Sequence, residues 1–147
     1  MKSRLISDRE EKVFIVVFDT GDEVMQGLLD LARDNGVTAG HFTAIGAFSD
    51  VVLGYLDWEK KDYERIPLTE QVEVLSLIGD VALENGSPKI HAHIVVGKRD
   101  GTAHGGHLLE GHVRPTLEVV LHESPDHLRR KLDPDSGLAL IDAGNTK

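Results

Sequence analysis

The sequence predicts an α+β domain, a mostly antiparallel β-sheet with one main helix packed on it. Three observations carry that expectation. One segment, Val24 to Ala32, repeats its apolar residues at helical spacing. Six or more short runs rich in β-branched and aromatic residues follow it, separated by turn chemistry. The length of 147 residues suits one compact domain, 1–147, built on a single core.

In chain order, VFIVVF (Val13 to Phe18) is a continuous apolar run of strand length, the pattern of a central strand covered on both faces. Thr20 followed three residues later by Glu23 reads as a capping box. Val24, Leu28, Leu31 and Ala32 then form one apolar stripe that stops at Asn35-Gly36. From Val37 onward come FTAIGAF, VVLGYLDW, YERIPL, VEVLSLIGDVAL, KIHAHIVVG and LEVVLH. Glu84-Asn85-Gly86-Ser87-Pro88 and Asp100-Gly101 supply turns. The apolar LALI segment near the C-terminus is expected to return to the sheet as a short strand. Gly40, Gly46 and Gly54 interrupt β runs and read as bulges or bends. Gly105-Gly106, directly before His107, leave open a bend or the close approach of a ligand.

Charge and composition remove several classes of function. Sixteen basic against 25 acidic residues give a net charge of −9, which repels phosphate at long range. The richest basic cluster, Arg129-Arg130-Lys131, reads as a solvated segment rather than a patch for duplex DNA. The longest wholly apolar runs are six residues, far short of the roughly 20 a membrane helix needs. The start of the chain lacks the apolar centre of a secretory signal, so the cytoplasm is the expected compartment. With no cysteine, disulfides, thiolate catalysis and cysteine-held clusters drop out, and a metal must use His, Asp or Glu.

Histidine is where the composition is unusual. Of eight histidines, four fall between positions 91 and 107. His91 and His93 lie two apart on a strand, so both project to one face. The register of the following hairpin decides what joins them. A three-residue loop, Arg99-Asp100-Gly101, sets His93 opposite His107 with His91 on the diagonal. A two-residue loop, Asp100-Gly101, instead sets His107 opposite Ile94. Turn chemistry permits both. The first register is favoured because the second strands all three imidazoles without partners. Facing and diagonal imidazoles sit about 5 Å apart at Cβ, a separation that shares one ion at about 2 Å per nitrogen. All-imidazole ligation suits a divalent transition metal, zinc foremost, and disfavours calcium or magnesium. Glu110 is a candidate fourth ligand or orienting carboxylate. His104 points to the other face, and His41, His112, His122 and His127 read as structural or surface residues. Ser49 and Ser76 show no nucleophile elbow.

The order GHFTAIGAFSDVVLGYLD, VEVLSLIGDVAL, HAHIVVGKRDGTAHGGHLLEG and LEVVLHE resembles the plants-and-prokaryotes-conserved (PPC) domain, from about Val13 to Leu121. The resemblance implies an α+β fold, a homotrimer, and a metal held by His91, His93 and His107. In plants this domain follows AT-hook segments, Arg-Gly-Arg-Pro motifs that enter the minor groove. Arg114-Pro115 has no such flanks here, so the DNA-binding association of the family lacks its contact in this chain.

The leading expectation is a trimeric, metal-dependent module that binds or senses a small molecule. One alternative is a metal-dependent hydrolase or lyase with water at an open coordination position and Glu110 as its base. The other is a DNA-associated regulatory protein.

Overall fold

A computed structural model describes residues 2–8, 12–125 and 127–142. The elements run β1 (Lys2–Asp8), β2 (Lys12–Asp19), α1 (Val24–Asn35), β3 (Ala39–Asp57), β4 (Asp62–Leu68), β5 (Val72–Glu84), β6 (Ser87–Gly97), β7 (Ala103–Glu123), β8 (Arg130–Leu132) and β9 (Ala139–Ile141). The fold is α+β, mostly antiparallel sheet with one helix, as the patterning predicts.

Several expected strands merge. FTAIGAF and VVLGYLDW are one 19-residue strand, β3, and GGHLLEG and LEVVLH are parts of the 21-residue β7. Bulges make this possible by letting a long strand bend while it keeps its partners. The register of β3 shifts against β5 between Ala44 and Gly46. Gly46 has φ 153° there, and a Cβ on it would come within 2.3 Å of the Thr116 carbonyl oxygen, so the glycine that looks like a break is the hinge of a continuous strand.

The main sheet has seven strands in the order β1-β2-β7-β6-β5-β3-β4, with β7 also paired to β3. The pairings β3–β5, β5–β6, β6–β7 and β7–β3 therefore close a ring. Its inner side carries the core, including Phe42, Phe48, Leu53, Leu77, Leu108 and Leu117, each at most 1% exposed.

Four expectations need correction. VFIVVF is neither central nor covered twice: β2 lies between β1 and β7, burying Phe14, Val16 and Phe18 while Ile15 is 38% exposed. The charged start, given no element from sequence, supplies β1 as a partner for β2. The N-cap is Glu23 and not Thr20. The Glu23 carboxylate accepts from the backbone N–H groups of Met25 and Gln26 and of Gly111 on β7, so it ties the helix start to the sheet, whereas the Thr20 hydroxyl donates to the Pro115 carbonyl. The helix itself buries Val24, Leu28, Leu31 and Ala32 and ends at Gly36 in the left-handed conformation, as expected. Finally, β9 does not join the main sheet; it pairs with β8 in a separate two-stranded ribbon. A parallel bridge between Leu83 and Arg129 ties that ribbon's start to β5.

Candidate metal centre

The hairpin between β6 and β7 adopts the three-residue loop. The Lys98 N–H donates to the Thr102 carbonyl at 2.8 Å, Gly101 takes φ 83°, and the Asp100 carboxylate accepts from the Thr102 N–H and hydroxyl. A left-handed φ at the third loop position is what glycine supplies without strain. The consequence runs up both strands: His93 pairs with His107 and Val96 with His104. Since alternate residues face opposite sides, His104 shares the side of buried Val96, and His91, His93 and His107 share the other.

The three side chains converge. One nitrogen from each of His91, His93 and His107 lies within 4.8 Å of the other two, and the ring centroids are 5.1 to 5.4 Å apart. Gly105 and Gly106 answer to packing and not to a ligand: a Cβ on Gly106 would press to 2.8 Å from the Gly54 carbonyl, and one on Gly105 to 2.9 Å from the Ile94 carbonyl. These glycines let β7 lie tightly against β3 and β6 and so bring His107 into the group.

Charge around the group favours neutral imidazoles. Burial, then the neighbouring His91 and His93, and then Lys89 and Arg130 push the His107 pKa down to about 4. Burial and His91 also lower that of His93. Nδ1 of His107 is buried with no hydrogen-bond partner. An unpartnered buried ring nitrogen on an imidazole held neutral, in a group of three imidazoles, matches the donor chemistry that a divalent transition metal requires. The residues present therefore fit a metal ion.

Sequence reasoning missed what surrounds the triad. Tyr63 of β4 stacks on His107, with centroids 4.3 Å apart and planes 18° from parallel. Asp80 is the cross-strand partner of His91, and its carboxylate stands 3.7 Å from His91 Nδ1. Burial pushes the Asp80 carboxyl up, but the neighbouring His91 and the hydrogen-bonded Arg130 outweigh that and leave it below its usual range. Arg130, read from sequence as part of a solvated triplet, has only 5% of its side chain exposed; it binds Asp80 at 2.5 Å and donates to the Ala139 carbonyl. A carboxylate set well inside the strand run VEVLSLIGDVAL, and not at its edge as Glu73 is, is the signal that marks Asp80 in the sequence. Nothing local marks Arg130, because only the fold carries β8 onto β5.

Glu110 takes a different place from the one expected. It lies outside the histidine group and pairs with Arg65 of β4, both side chains being about half exposed. Four of the other five histidines have local partners: His41 stacks on His122, His112 bonds to Asp50, and His127 to Thr38. Among the described residues no helix is long and apolar enough to cross a membrane.

Residues 6–125 match the model of the Plants and Prokaryotes Conserved (PCC) domain. The chain is 33% identical to a plant- and prokaryote-conserved protein of Pyrococcus horikoshii, with a TM-score of 0.84 over 90% of this chain and 92% of that one. It is 34% identical to a metal-containing protein of Archaeoglobus fulgidus, with a TM-score of 0.82 over 96% and 99% of the two chains. A candidate DNA-binding protein of Bacteroides thetaiotaomicron is 25% identical, with a TM-score of 0.85 over 95% and 96%. Among curated proteins the chain is similar to the bifunctional protein GlmU of Synechococcus sp. (strain JA-3-3Ab), 32% identical over 120 residues, which are 80% of this chain and only 18% of that protein.

Proposed function

Because this chain belongs to the Plants and Prokaryotes Conserved domain family, and because three of its imidazoles converge on one point, we propose that it is a homotrimeric, metal-dependent module for a small ligand. His91, His93 and His107 hold the ion, with zinc the first choice for all-imidazole ligation. The observation that carries this reading is the set of three nitrogens within 4.8 Å of one another on one sheet face. The metal content of the Archaeoglobus relative is consistent with it. Three protein ligands leave a tetrahedral ion one open position, and a bound ion would supply Lewis acidity there. Asp80, beside His91 Nδ1, orients that ring so that its other nitrogen is free to ligate.

The trimer rests on the family and on an uncovered apolar surface. Ile15, Ile45, Leu75, Ile78, Val95 and Val120 are each at least 38% exposed. Cross-strand pairing lines up Ile15, Val120, Thr43, Ile78, His93 and His107 in one row. Further copies of the chain are the proposed cover, which puts the histidines at the margin of the interface.

A hydrolase or lyase reading would need a base, and Glu110 is engaged by Arg65. The DNA reading has the Bacteroides neighbour in its favour and a net charge of −9 against it. Elemental analysis of untagged protein tests the proposal: near-stoichiometric zinc or another transition metal is expected, and metal-free protein that takes up none on addition would overturn it.

A further inference from the structure

The histidine group opens on one side into a cavity of about 200 Å³, lined by Tyr63, Lys89, His91, His107, Arg130 and Leu140 among others. This is smaller than the roughly 300 Å³ at which pockets for drug-sized ligands begin, and at about 30 Å³ per water it has room for roughly seven water-sized groups. Two cations line it, and none of its described lining residues is a carboxylate, although the protein is strongly acidic. The carboxylates that pair with those cations, Asp80 with Arg130 and Glu84 with Lys89, do not line the cavity.

The two cations differ in freedom. Arg130 is held rigidly by Asp80 and the Ala139 carbonyl and contributes a fixed positive field. Lys89 has about half its side chain exposed and one partly exposed carboxylate partner, Glu84. Pairs of that kind are worth only about 0–1 kcal/mol, and an ammonium has three donors, so Lys89 is free to engage a further anion. Beside these charges, Leu138 and Leu140 of the C-terminal ribbon line the cavity together with Ile90 and the Tyr63 ring and give it an apolar wall. Leu138 and Leu140 fall outside the segment 6–125 that matches the family model, while Ile90 and Tyr63 lie within it.

From this we infer that the cavity selects a short-chain carboxylate, its carboxylate drawn to Lys89 and its small apolar body set against the ribbon. Inorganic phosphate would satisfy the cations but leave the apolar wall without a partner. The inference deepens the metal reading only in giving the ligand a second anchor at the ion; the cations and the wall stand without it.

The probe is 2-hydroxyisobutyrate, compared by calorimetry with its neutral amide and with inorganic phosphate, on zinc-loaded and metal-free protein. The acid is expected to bind the loaded protein about tenfold more tightly than the amide, the value of one charge-assisted hydrogen bond, and more tightly than phosphate. Lys89→Met should erase the preference for the acid, Lys89→Arg should restore it, and zinc content should stay at the wild-type level in both. Equal binding of acid and amide, tighter binding of phosphate, or an undiminished preference in Lys89→Met overturns the inference. A wild-type protein that takes up no zinc defeats the metal reading instead. The same titration on metal-free protein then decides the cavity: a Lys89-dependent preference for the acid supports it, and no preference overturns it.

Discussion

The two sides of the sheet are built from the same strands and are both apolar, yet only one has cover. On β2, Phe14, Val16 and Phe18 are at most 2% exposed, while Ile15, between two of them, is 38% exposed. On β7, Leu117, Val119 and Leu121 are fully buried and Val120 is 38% exposed; on β3, Ile45 reaches 63%. The apolar run VFIVVF therefore has one side packed inside the chain and one side open, the side that the proposed trimer would cover. A contiguous exposed apolar row is costly in water and marks an association surface. The same row ends at His93 and His107, so the proposed trimer would bring its interface up to the candidate metal centre.

The sharpest way to separate the sides is to delete one buried and burden one exposed side chain. Phe42→Ala, on the covered side at 1% exposure, should cost about 3–5 kcal/mol in urea denaturation. Gly79 allows that packing, since a Cβ there would lie 2.3 Å from the Phe42 ring. Ile78→Glu, on the open side at 55% exposure, should leave the circular dichroism of the fold intact and convert a trimer into a species near the single-chain mass of 16.1 kDa. Light scattering on size-exclusion fractions checks this. Wild-type protein that is monomeric at micromolar concentration would leave the open side without its proposed cover.

Within the histidine group the same contrast applies across one strand. His93→Ala and His107→Ala should each lower metal affinity by more than about 100-fold, because each removes one of three donors. Asp80→Asn should lower it by about 10–100-fold through the loss of orientation at His91. His104→Ala, on the other side of β7, should leave metal content unchanged. Competition with a chromophoric zinc chelator reads all four; retention of metal by His107→Ala would mean that the site lies elsewhere.

These contrasts also show what could be read without coordinates. Helix α1 and most strands follow from local rules, because periodicity is a local fact; the register that groups His91, His93 and His107 does not, since Asp100-Gly101 suits either loop length and only the pairing of the imidazoles decides between them. The merging of strands into β3 and β7 escapes such rules, since a bulge glycine looks the same as a terminator until its cross-strand neighbour is known. Glu23 as N-cap escapes for a similar reason: Thr20 has the right chemistry but is drawn away by Pro115. Arg130 and Tyr63 reach the histidines only through the closure of the fold, and it is likewise the fold that sets Arg65 of β4 beside Glu110.

The smallest effect concerns two histidines of one strand driven in opposite directions. His107 is lowered chiefly by burial, whereas the hydrogen bond to Asp50, at 2.7 Å from Nδ1, raises His112 above 6.5, helped by the charges of Asp50, Glu23 and Glu110. Asp50 is in turn lowered, first by the Ser49 hydroxyl and then by His112. A histidine raised on folding contributes stability that is complete below its unfolded value of 6.5 and is lost as pH rises through the folded value. The lowered carboxylate contributes above 3.8 and loses its share as pH falls through its folded value. The pair is therefore most stabilising between about pH 4 and 6.5. Both side chains are more than 40% exposed, so solvent screening holds the contribution to about 0.2–1 kcal/mol. Asp50→Asn should return His112 toward 6.5 in an NMR titration, and its melting-temperature deficit should be widest in that window and shrink as pH rises past the wild-type His112 midpoint. A wild-type His112 titrating at or below 6.5 would show that the Asp50 pair does not form in solution.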